Sequence, residues 1–128
     1  MRVLLDTHTL LWWWTDSPRL SGTAREVIAG SENEVFVSAA GIWEMRTKQR
    51  LGKLPLIPDL GVHVGDLLQK SRFTVLDIGW RHALAAGGYP ADHRDPFDRM
   101  LAAQSALEAL PLVTRDPVFS AFGNPCLW

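Results

Sequence analysis

Short apolar runs alternate along this chain with longer segments whose apolar residues recur every three to four positions. Five runs read as strands: Arg2 to Asp6, Glu34 to Ser38, Phe73 to Ile78, Leu110 to Thr114 and Cys126 to Trp128. Val3-Leu4-Leu5 and Val35-Phe36-Val37 are apolar without alternation, as in strands covered on both faces of a parallel sheet. Helices are predicted between them. Asp6-Thr7-His8-Thr9 opens one that stops near Asp16-Ser17-Pro18. A second starts at Ser21, or at Thr23 in a capping box with Glu26, and ends at Gly30. A third runs from Ala39 to Leu51, with Gly52 placed to cap it and a basic second half (Arg46, Lys48, Arg50, Lys53). After a loop marked by Pro55 and Pro58, helices are expected from Leu60 to Ser71, around Arg81 to Ala86 and from Pro96 to Ala109. Gly87-Gly88-Tyr89-Pro90 reads as a break between the last two, and Pro117 to Phe122 as a helical turn.

Strands alternating with helices predict one α/β domain over residues 1–128, with a mainly parallel sheet and right-handed crossovers. Sites in such sheets lie beyond the C-terminal ends of the strands. That rule puts Asp6, Asp116 and the start of the Ala39 helix on one rim.

Composition adds constraints. With 47% hydrophobic and 21% charged residues, the chain has the makeup of an ordinary globular domain. A formal charge of −1 excludes a generally basic nucleic-acid binder, so any such contact must come from local patches. One cysteine, Cys126, excludes an internal disulfide, and no apolar run approaches the roughly 20 residues of a membrane span. A cytoplasmic protein without a membrane segment is expected. Trp12-Trp13-Trp14 on a helix sweep about 200°, wider than a core-facing stripe, so at least one should be partly exposed and mark a partner surface.

The candidate chemistry is carboxylate chemistry. Asp95 and Pro96 make a helix start, as cap and first residue, and Asp98 falls in the first turn. Asp6, Glu44 and Asp116 follow strand-like runs or lie just inside the next helix. Carboxylates held close repel, and a hard divalent cation such as Mg²⁺ or Mn²⁺ resolves the conflict. Such a cation orients water and neutralises charge on a phosphate, so hydrolysis of a phosphodiester is the expected reaction. Asp6 and Asp98 are expected to hold the principal metal, with Asp116 and Glu44 completing the site. Asp95 adds charge or caps its helix. Thr114 is placed to hydrogen-bond an acid. His93, Arg94, Arg99 and Arg115 flank the acids as candidate phosphate contacts, whereas His8 should be directed elsewhere and His63 and His82 lack suitable companions. Asp77 also ends an apolar run, and position along the chain does not separate it from Asp6.

The blocks Leu4-Leu5-Asp6-Thr7-His8-Thr9-Leu10-Leu11-Trp12-Trp13, Ser38-Ala39-Ala40-Gly41-Ile42-Trp43-Glu44-Met45, His93-Arg94-Asp95-Pro96-Phe97-Asp98-Arg99 and Leu112-Val113-Thr114-Arg115-Asp116 resemble those of PIN-domain ribonucleases. They resemble in particular the VapC-type toxins of bacterial toxin–antitoxin pairs, over nearly the whole chain. The resemblance implies a three-layer PIN-like sandwich with strand order 3-2-1-4-5, which removes Asp77 to the sheet edge. It implies Mg²⁺- or Mn²⁺-dependent RNA cleavage, a homodimer, and inhibition by a cognate VapB-type antitoxin in a hetero-oligomer. The family's four acids fall on Asp6, Glu44, Asp98 and Asp116. One departure is Gly41, where the family often carries a serine, so a polar group beside Glu44 is missing. Two other readings compete: an aspartyl-phosphate phosphatase, which would want an acid where this chain has His8, and a catalytically silent RNA- or protein-binding module.

Overall fold

Along β1 (Arg2–Leu5) and β2 (Glu34–Ser38) successive side chains point to opposite faces, and both faces are covered. In the computed structural model, which describes all residues from Met1 to Trp128, Val3, Leu5, Val35 and Val37 pack into one core and Leu4 and Phe36 into a second. That is why these runs are apolar without alternation. Five parallel strands form the sheet, in the order β3-β2-β1-β4-β5, where β3 is Thr74–Leu76, β4 Leu112–Val113 and β5 Cys126–Leu127. Leu4 sits between Phe36 and Leu112, and Leu5 between Val37 and Val113. This is the three-layer α/β architecture and strand order expected from the sequence.

The first core is roofed by α1 (Thr7–Trp14), α2 (Gly22–Ala29), α3 (Ala39–Arg50) and α4 (Leu60–Ser71), through Leu10, Leu11, Ala24, Ile28, Met45 and Leu60. On the other face α6 (Pro96–Glu108) and α7 (Val118–Ala121) contribute Leu101, Ala102 and Phe119. Small residues bring α6 close to the sheet: Ala102 and Ala103 are fully buried. No helix is long and apolar enough to cross a membrane.

Several element ends differ from expectation. Ser21, not Thr23, caps α2, its hydroxyl accepting the Ala24 amide at 3.0 Å. α5 spans Trp80–Gly88, so Gly87 and Gly88 prolong the helix rather than break it. A glycine costs a helix only about 1 kcal/mol, and the stop comes instead from Pro90, which forces Tyr89 into extended backbone. β4 is shorter than Leu110–Thr114 because Pro111 has no amide to donate to a neighbouring strand. β3 is a three-residue edge strand ending before Asp77, which is exposed. Trp12, Trp13 and Trp14 are all half-buried, while Trp43 and Trp80 are 61% and 69% exposed.

Candidate active site

The centre of the site is built where β1 and β4 end side by side. Asp6 follows β1 directly, caps α1 by accepting the His8 amide at 3.3 Å, and is 5% exposed. Its other carboxylate oxygen accepts the Thr114 hydroxyl at 2.7 Å. Thr114 Oγ1 in turn accepts the Asp116 amide at 3.0 Å, and the Asp116 carboxylate accepts the Val118 amide at 3.0 Å at the start of α7. A chain of short-range bonds thus fixes Asp6, Thr114 and Asp116 to one another. Asp6 thereby turns the end of β1 into the start of α1, and Asp116 joins the end of β4 to α7.

Two helices bring the remaining acids. Glu44, one turn into α3, is buried, and its Oε2 accepts the Lys48 ammonium at 2.9 Å. Asp95 caps α6, accepting the amides of Phe97 and Asp98 at 2.8 and 3.1 Å. Asp98 lies in the first turn of α6, and its own carboxylate accepts no hydrogen bond from the protein.

The electrostatics show that these groups act on one another. Burial pushes the Asp98 carboxyl up to about 7, and Asp95, Asp6, Asp116 and Glu44 add repulsion in the same direction. Burial also raises Asp6, with a smaller contribution from Asp116; the Thr114 hydrogen bond and His8 work against the rise. Asp98 therefore lies within electrostatic reach of Asp95, Asp6, Asp116 and Glu44, and the ends of β1 and β4 put Asp6 and Asp116 on the C-terminal rim of the sheet. Asp77 is left at its edge.

The flanking residues divide. Arg115 lies over the Trp12 ring, 4.6 Å from its centroid. Arg94 is exposed beside Asp95 and Asp98 in a cavity of about 180 Å³. Arg99 turns away from the acids: its guanidinium donates to the carbonyls of Ala86, Gly87, Tyr89, Pro90 and His93, closing the end of α5 and the loop behind it. His93 stacks on Phe122 with centroids 3.9 Å apart. His8 is exposed beside Trp12. His82, expected to lack companions, has two: Nδ1 accepts the Gly79 amide at 2.9 Å, and Nε2 meets Glu108 at 2.9 Å. This pair of a buried His82 and a partly exposed Glu108 joins α5 to α6 and is remote in sequence, so no local pattern announces it.

Two residues near the acids escape the sequence reading. Lys48 stands four residues after Glu44, a spacing that pairs opposite charges on a helix, and that signal was present. Arg19, in the link after α1, shares a cavity of about 320 Å³ with Asp6, Asp116 and Arg115, which only the folded chain reveals. The departure at Gly41 also has a visible consequence. A side chain there would meet Thr7 Oγ1 at 3.3 Å, and that buried hydroxyl has no partner.

As the side chains stand, no three acidic, histidine or cysteine groups are near enough to grip one ion. The donor set nevertheless fits a hard cation that keeps much of its water. All the donors are oxygens, and a divalent charge would offset both the burial and the repulsion that lift Asp98.

The sequence matches the PIN-domain family model over residues 3–125. The chain belongs to the PIN-domain family. Solved structures with the same fold include VapBC2 from Rickettsia felis bound to a promoter DNA fragment, with 16% identity and a TM-score of 0.72 over 100% of this chain and 98% of that one. FitAcB from Neisseria gonorrhoeae gives 19% identity and a TM-score of 0.62, over 100% of this chain and 97% of that one. FitAB bound to the IR36 DNA fragment gives 19% and 0.62, over 99% and 94%. No curated protein sequence matches significantly. At these identities the neighbours speak for the architecture of this PIN domain.

Proposed function

We propose that this PIN domain is a divalent-cation-dependent endoribonuclease and acts, in the cytoplasm, as the toxin of a toxin–antitoxin pair. The observation that supports the reading is that Asp98, at the start of α6, stands within electrostatic reach of Asp6 after β1, Glu44 in α3 and Asp116 after β4. Asp6, Asp98 and Asp116 would hold Mg²⁺ or Mn²⁺. When bound, that ion supplies charge for the phosphate oxygens and orients water for in-line attack. Thr114 holds Asp6 and the Asp116 backbone in register for that task. Glu44 keeps Oε1 free of protein hydrogen bonds and is placed to orient water, while Lys48 offsets its charge. Asp95 adds to the negative potential as it caps α6.

The partners follow the same reading. An apolar groove of about 330 Å³ adjoins the acids through His8 and Trp12 and includes Leu11, Leu54, Leu56 and Ile57, with Lys48 and Lys53 beside them. We assign it to a VapB-type antitoxin. Exposed Trp43, Trp80 and Leu84 are the surface we assign to a homodimer.

Purified protein is expected to cut RNA only with Mg²⁺ or Mn²⁺. Asp98→Asn should lower the rate by at least ~100-fold, since even residues that only support metal ligands matter by 10–100-fold. Circular dichroism should show the fold retained. Cleavage that persists in chelator or in Asp98→Asn would overturn the reading, and unimpaired growth of bacteria expressing active protein alone would remove the toxin role.

A further inference from the structure

A protein of formal charge −1 that gathers four acids repels the polyanion it is proposed to cut, so the approach of RNA needs cations placed locally. The cavity of about 320 Å³ beside Asp6 and Asp116 holds two, Arg19 and Arg115. Neither forms an ion pair with the neighbouring carboxylates, although guanidinium and carboxylate readily pair when free to do so. Arg115 is drawn instead onto Trp12, at 4.6 Å, while its sequence neighbour Asp116 faces its own helix cap. The indole is itself pinned, with Trp128 edge-on at 5.8 Å and His8 at 5.9 Å. Arg19 reaches the same cavity from the link after α1, and its only hydrogen bond is made by its backbone amide, to Ser17. One exposed guanidinium, Arg115, is thereby held beside the acids, and a second, Arg19, lines the same cavity unpaired, both with donors open to an anion from outside.

We propose that Arg19 and Arg115 form a clamp for the RNA backbone phosphate next to the one that reacts, and that Trp12 is the positioning residue that keeps Arg115 in place. The proposal rests on the ribonuclease reading and deepens it. It names the flank along which the strand runs, past α1 and the turn after β4, rather than over α5.

The test uses the full-length Asp98→Asn protein, which should bind without cutting, and a short fluorescein-labelled single-stranded RNA of random sequence in Mg²⁺. Fluorescence anisotropy gives Kd as a function of KCl concentration. Arg19→Ala and Arg115→Ala should each weaken binding about tenfold and lower the slope of log Kd against log salt, and the double variant should lower that slope by about 0.7, the share of one phosphate contact. Trp12→Leu should weaken binding about threefold, with recovery in Trp12→Phe. Added to Arg115→Ala, Trp12→Leu should change nothing further, which a merely structural role would not produce. Unchanged affinity and slope in both arginine variants, with the parent protein binding RNA, would overturn the clamp. So would loss of binding to an antitoxin peptide alone, with RNA binding intact. Failure of the wild-type protein to bind or cut any RNA would instead bring down the ribonuclease reading, and the clamp with it.

Discussion

Asp6 and Asp116 hang from the ends of adjacent strands, whereas Asp98 and Glu44 project from two helices. On the sheet side Thr114 donates to Asp6 and accepts from the Asp116 amide, so that half is rigid before any ligand arrives. On the helix side Glu44 leans on Lys48, and the Asp98 carboxylate accepts no hydrogen bond and is acted on by four acidic neighbours. The sheet half supplies geometry and the helix half stores repulsion. A cation is needed by the second and positioned by the first.

The largest effect is expected at Asp98, where the comparison can be broken. Asp98→Asn should abolish cleavage yet raise the melting temperature of the metal-free protein by a few degrees above pH 7. The sign follows from the raised pKa. From an ordinary value of 3.8 to about 7 the folded form holds a proton that the unfolded form has released, so metal-free stability falls as pH rises through that window. A melting temperature lower in Asp98→Asn than in wild type above pH 7 would refute the stored repulsion.

Thr114→Val attacks the other half. It removes the donor to Asp6 and leaves the Asp116 amide without its acceptor, so a loss of about 1–3 kcal/mol is expected by denaturant unfolding. Catalysis should drop about 10–100-fold, as when a group supporting metal ligands is lost. Full activity in this variant would mean that the sheet half needs no such fastening.

Lys48→Met sharpens the comparison on the helix side. With Glu44 buried and unpaired, metal-free stability should fall by about 1–2 kcal/mol, and saturating Mg²⁺ should restore more of it than wild type gains. Equal gains in the two proteins would separate Glu44 from the cation. The smallest effect is at Gly41→Ser, which replaces a helical glycine and offers Thr7 Oγ1 a partner. A gain of about 0.5–1 kcal/mol in thermal unfolding is expected if the 3.3 Å contact relaxes, and a loss would show that it does not.

Much of this was readable from the chain because β1 and β2 are buried on both faces and therefore uniformly apolar, and because acids at their ends stand out. Local pattern does not separate Asp6 from Asp77, since both end apolar runs. Strand order decides, putting one beside β4 and the other at the edge. α5 outlasts its two glycines because Arg99, from the next helix, binds carbonyls at its end. The His82–Glu108 pair and the placement of Arg19 also join residues that only the tertiary fold brings near. Lys48 was within reach through its four-residue spacing from Glu44.

The central claim is that these carboxylates meet around a cation, and calorimetric titration of metal-free protein with Mn²⁺, one pH unit below and one above the Asp98 value of about 7, tests it most directly. The prediction is saturable binding that is tighter at the higher pH, with proton release at the lower pH and little at the higher, all lost in Asp98→Asn. Absence of saturable binding at either pH, or binding that Asp98→Asn leaves untouched, would contradict the account.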